Sequence, residues 1–245
     1  MSQNILSLEN IEKSFGKVRS LRGVDFKVDQ GEVVGLVGEN GAGKSTLIKI
    51  ISGMFPPDQG RILWEGRQVS IASVKKAREL GIETVHQHRL TVDTLEVSDN
   101  IFLGREIKKK VGPFRFIDKE AQRRRAVELM AELGLKIKNP RQLVSACSGA
   151  EKQGLEVARA LQFNARLLIL DESTVGLNME GIRQLRRFTH QVTAGGVGCI
   201  FITHDFRYIL DLAHRFVFMA QGKVVAELPN KDIDVKKLEE FIINL

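Results

Sequence analysis

The chain of 245 residues is 43% hydrophobic and 27% charged, so it can bury a sizeable core and need not be disordered. Its 37 basic and 30 acidic residues leave a net charge of +7, a field that attracts a nucleotide, a nucleic acid or an anionic lipid without choosing among them. No uninterrupted apolar run of about 18 residues occurs, the opening MSQNILSLEN has neither charged leader nor apolar core, and Cys147 and Cys199 are too few for a disulfide framework, so a reduced, cytoplasmic setting is expected.

Residues 5–29 alternate apolar and polar side chains around turn signals at Gly16 and Gly23, which predicts antiparallel strands. The β-branched run 33–37 predicts a buried strand, followed by a glycine-rich turn and a helix carrying Leu47, Ile48, Ile50 and Ile51. The lysine run 108–110 and the arginine run 123–125 read as the end of one helix and the outer face of another, hence solvated surface. With one Trp and one Tyr, no interleaved basic and aromatic platform stands out, and no dedicated nucleic-acid binding is expected. Residues 119–133 set Ala121, Ala126, Val127, Met130 and Leu133 near one helix face, within a helical insertion over about 95–163. Runs 167–170 and 198–202 predict buried strands separated by a helix over 179–193, and 235–244 predicts a short amphipathic helix. Strands alternating with helices imply an α/β fold with a parallel core sheet.

The strongest chemical signal is Gly38-Glu39-Asn40-Gly41-Ala42-Gly43-Lys44-Ser45-Thr46, a G-x-x-x-x-G-K-[ST] phosphate loop. Its glycines let successive backbone N–H groups turn inward, Lys44 brings charge to the β- and γ-phosphates, and Ser45 offers a hydroxyl to Mg²⁺. Downstream, an apolar strand ends in Asp171 and Glu172. Such a pair is by itself a helix cap or a solvated turn; beside a phosphate loop, Asp171 would hold Mg²⁺ through water and Glu172 would polarise an attacking water. His204 follows another apolar strand and is either a structural histidine or a donor to the γ-phosphate.

These residues, with Gln87, Cys147-Ser148-Gly149-Ala150-Glu151 and Thr203-His204-Asp205, stand in the order and spacing of an ABC transporter ATP-binding subunit, which the chain resembles over about residues 5–228. The resemblance implies an ABC-type P-loop ATPase with a mixed core sheet, an antiparallel β-subdomain and an inserted α-helical subdomain, all within one domain, 1–245, with about 95–163 as the helical part. Gly81-Ile82-Glu83-Thr84-Val85-His86-Gln87 and Asp99-Asn100-Ile101-Phe102-Leu103-Gly104-Arg105-Glu106 look most like importers of ribose and other simple sugars. By the same resemblance Phe15 stacks on adenine, the alternative being a core Phe, and Gln87 senses Mg²⁺ and the attacking water beside the permease groove. Ser148, Gly149, Ala150 and Glu151 form the signature segment that contacts ATP on an opposite subunit. Mg²⁺ would then be shared by Ser45, Gln87 and Asp171.

The implied cofactors are ATP and Mg²⁺. The implied partners are a second ATPase subunit, identical or a paralogue, an integral membrane permease and an extracytoplasmic solute-binding protein. The location would be peripheral, on the cytoplasmic face of the membrane. Three departures qualify this expectation: Ala150 stands for a signature glycine, Ser173 for a proline, and Asn178 for a carboxylate. Ala150 and Asn178 leave open a weakly hydrolysing regulatory subunit. A soluble ABC ATPase acting on nucleic acid or ribosomes is the other alternative.

Overall fold

In the computed structural model, residues 3–85, 91–133, 139–162, 164–171, 179–203 and 209–232 are described. The period-two pattern at the start of the chain forms β1 (Asn4–Phe15) and β2 (Val18–Asp29), paired antiparallel through the turn at Gly16. Ile5, Leu8 and Ile11 on one strand and Leu21, Val24, Phe26 and Val28 on the other are buried. Gly23, expected at a turn, instead lies inside β2 at a bulge. The register shifts between the Leu8 and Ile11 pairings, Asn10 and Gly23 both adopt positive φ, and a Cβ on Gly23 would sit 2.7 Å from Asn10 Oδ1. With β4 (Gln59–Trp64) and β5 (Arg67–Val69) these strands make a four-stranded sheet in the order β2-β1-β4-β5.

The apolar runs build a second, six-stranded sheet. It comprises β3 (Val33–Val37), β6 (Ile82–Val85), β9 (Leu167–Asp171), β10 (Gly198–Ile202), β11 (Arg215–Ala220) and β12 (Lys223–Pro229), in the order β12-β11-β3-β10-β9-β6. All pairings are parallel except β11 with β12, so the sheet is mixed. Every residue of β3 and β10 is buried, as expected of central strands covered on both faces. Gly35 in β3 makes room for Phe216, whose ring would lie 2.6 Å from an added Cβ. Helices α1 (Lys44–Ile51) and α2 (Val74–Glu79) belong to the same compact unit, formed by residues 1–85, 165–174 and 189–245. Each fully buried Ile or Leu of its core contributes about 1.5–3 kcal/mol of transfer free energy.

A second unit comprises residues 86–164 and 175–188. It contains α3 (Val97–Ile101), a hairpin of β7 (Lys108–Val111) and β8 (Phe114–Ile117), α4 (Lys119–Glu132) and α5 (Gly149–Leu161). Helix α6 (Met179–Ala194) divides its residues between the two units. The core of the second unit gathers Val97, Ile101, Phe102, Ala126, Leu129, Met130, Val144 and Leu155. On α4 the buried face differs from the expected one: Val127 is exposed, while Gln122 and Leu129 are buried. Gln122 tolerates burial because its Oε1 accepts the Ile107 N–H at 3.1 Å. Asn100, fully buried on α3, clasps the preceding loop: its Oδ1 accepts from Val92 N, and its Nδ2 donates to the carbonyls of Val92 and Glu96. The lysine run 108–110 lies on a strand, not at a helix end.

Candidate nucleotide site

Parallel strands carry their C-terminal ends to one edge of the sheet. The register sets Ile202 opposite both Leu36 and Asp171, so the end of β9 stands level with the residues leading into the phosphate loop. The loop then curls into α1 through Gly43, which takes φ 103° at the helix N-cap. A Cβ there would strike Ser20 O at 2.8 Å, so only glycine fits both the torsion and the space. Helix α1 starts with no side-chain cap and no acidic residue in its first turn. Its N-terminal N–H groups and dipole therefore favour an external anion.

These features border a cavity of about 160 Å³ lined by Ser20, residues 40–46, Asp171 and Ile202. Lys44 Nζ donates to Gly38 O at 2.6 Å and to Glu39 O at 2.9 Å, so the loop wraps the ammonium and holds its charge at the loop. Thr46 Oγ1 and Ser20 Oγ lie 2.7 Å apart, tying the helix start to β2. Ser20 was not singled out in the sequence, and no local signal marks it: it precedes Thr46 by 26 residues, and only the fold brings the two together. The set Ser45 and Asp171 offers a hydroxyl and a carboxylate, hard oxygen donors that suit Mg²⁺. Among the described residues, no group of three or more His, Cys, Asp or Glu side chains is placed to hold a metal. A hydroxyl and a carboxylate fit Mg²⁺, a cation that keeps water and needs one or two protein ligands.

Phe15 ends β1 with 47% of its surface exposed, so it is not a core Phe. Its ring meets Phe55 edge-on, with centroids 5.3 Å apart, and Lys13 Nζ lies 5.7 Å from the Phe15 centroid. Lys13 also donates to Asp58 at 2.6 Å; this bond, with the Ser14 N–H, holds the Asp58 carboxyl below its usual range. Phe15 is not among the residues lining the phosphate cavity.

In the second unit, Ser148 caps α5. Its Oγ accepts from Glu151 N at 3.3 Å, and Glu151 Oε2 accepts from Ser148 N at 2.7 Å, a complete capping box. Gly149 and Ala150 therefore occupy the first helical positions, where N–H groups have no intrahelical acceptor. Gln87, Glu172, Ser173, Asn178, His204 and the stretch 235–244 lie outside the described residues.

The sequence pattern of the family described as "ABC transporter" matches residues 21–175. The chain is 42% identical to ribose import ATP-binding protein RbsA 1 of Rubrobacter xylanophilus over 91% of its own length, yet spans only 44% of that relative. It is 35% identical to xylose/arabinose import ATP-binding protein XylG of Sulfolobus acidocaldarius, covering 98% of this chain and 94% of that one. Among solved structures, the ADP conformation of MJ1267, an ATP-binding cassette of an ABC transporter, superposes with a TM-score of 0.83 at 26% identity, covering 98% of each chain.

Proposed function

Because the chain belongs to the ABC transporter family, we propose that it is the ATP-binding and ATP-hydrolysing subunit of an importer for a simple sugar, working through a separate membrane permease. One observation carries the reading: the phosphate loop, the uncapped start of α1 and Asp171 converge on one cavity. The relatives named for ribose and for xylose and arabinose import favour a pentose or related sugar as the transported solute. The whole chain is read as one ATPase domain, with about 95–163 as its helical part. Among the described residues no helix is long and apolar enough to cross a membrane, which accords with a peripheral place on the cytoplasmic face of the membrane beside the permease. A solute-binding protein outside would deliver the sugar.

In this reading Lys44 and the loop N–H groups grip the β- and γ-phosphates and offset the charge that builds on the γ-phosphoryl oxygens. Ser45, Asp171 through water, and Gln87 would hold Mg²⁺, which would supply positive charge to neutralise the phosphate oxygens. Glu172 orients the attacking water, His204 donates to the γ-phosphate, and Phe15 offers a ring to adenine. Ser148 and the N-terminus of α5, with Gly149, Ala150 and Glu151, would complete the site of a second ATPase subunit, identical or a paralogue, so that each site needs both chains.

The test is steady-state Mg-ATP turnover and sugar uptake by the complex with its permease, for the native chain and Glu172→Gln. Turnover that Glu172→Gln abolishes while ATP binding persists is expected. Unchanged turnover in Glu172→Gln contradicts the catalytic assignment. Absence of turnover in the native complex would favour the regulatory alternative that Ala150 and Asn178 raise.

A further inference from the structure

From the hairpin β7–β8 we infer a contact for an anionic lipid surface. The pairs Lys109–Phe116 and Val111–Phe114 place these four side chains on one face of the two-stranded sheet. The pairs Lys108–Ile117 and Lys110–Arg115 place the other four on the opposite face. All eight residues are exposed, with Phe114 at 66% and Phe116 at 52%. A two-stranded sheet without a core to cover is marginal in water, and its apolar face is left for another surface.

Charge selects that surface. Lys109, Lys110 and Arg115 make no ion pair with any described residue, and Lys108 only reaches Glu106 at 4.0 Å. The apolar residues Val111 and Phe114 flank the turn, so the tip is apolar and the cations sit behind it. From Val111 back to Lys108 the strand spans roughly 10 Å, about the depth from lipid phosphates to the upper acyl region. Phe114 at that boundary, Lys110 and Arg115 one residue behind it, and Phe116 level with Lys109 form an interfacial anchor. Three of the four cations are lysines, point charges suited to a diffuse anionic surface rather than to forked pairing with a carboxylate. Phe114 and Phe116 are tilted by 58° with centroids 6.3 Å apart, so they do not form a parallel platform for successive bases.

The inference rests on the permease-bound reading only for its setting, because that reading brings the chain to a membrane. It is tested without a permease, so either can fail alone. The full-length chain is floated with phosphatidylcholine vesicles and with vesicles about one-third phosphatidylglycerol, at low and high salt. We expect about tenfold or greater retention on the anionic vesicles, falling with salt. Retention should be lost in K109E/K110E/R115E and reduced in F114S/F116S, while both variants keep Mg-ATP affinity, which shows that they fold. Equal recovery on neutral vesicles, or full recovery of the hairpin variants, overturns it. So does a Phe114-dependent dimer in solution that accounts for the face.

Discussion

Lys44 illustrates how one side chain serves two conditions. Its ammonium satisfies two loop carbonyls, and those same bonds keep the charge where phosphates would enter. A hydrogen bond from a charged donor contributes about 1.5–3 kcal/mol, so Lys44→Ala should lower ATP affinity about tenfold to a hundredfold by calorimetry while leaving the ligand-free fold intact. A second residue bears on stability. Cys199 lies in β10 between β3 and β9, and burial pushes its thiol from 9.0 up to about 12. The folded state therefore keeps this proton after the unfolded chain has lost it. Its stabilising contribution is complete below pH 9.0 and is lost as pH rises toward about 12. Chemical denaturation across that range should show an alkaline loss of stability that is smaller in Cys199→Ala; equal slopes would contradict the burial argument. Burial likewise raises the Cys147 thiol, so neither cysteine is a reactive thiolate at neutral pH.

At the scale of elements, α1, β3, β9 and β10 were legible because each is a long apolar or strongly periodic run with glycine or charge at its ends. The β7–β8 hairpin was not. Alternation reveals a strand only when one face is buried, and here both faces are solvated, so the lysine run hid the period. On α4 the buried residues 122, 126, 129 and 130 follow one helical stripe that leaves Val127 outside it, and Gln122 is accommodated there by its hydrogen bond to Ile107. The phosphate loop was legible because its residues are contiguous, whereas Ser20 joins the same cavity only through the packing of β2 beside it. The segment 99–106, which carries the likeness to sugar importers, acts within this chain as a structural clasp. Asn100 bonds the loop before α3, Asp99 pairs with Lys119 at 2.6 Å, and Arg159 donates to Asn100 O at 2.9 Å. Asn100→Leu should therefore destabilise the chain by about 2–4 kcal/mol in urea titration, because buried backbone groups lose their partners. A change below about 0.5 kcal/mol would show that the clasp is dispensable.

For the whole molecule, a mixed sheet sets loop and carboxylate at one edge, and a second unit presents a helix, α5, capped by Ser148. Among the described residues no helix is long and apolar enough to cross a membrane; the proposed function assigns the transport path to a separate permease. The most direct measurement is to isolate the tagged Glu172→Gln chain from cells in mild detergent with Mg-ATP and to identify what accompanies it by mass spectrometry. The account predicts a polytopic membrane permease together with a second ATPase subunit. Recovery of ribosomes, nucleic acid or soluble proteins alone would contradict it.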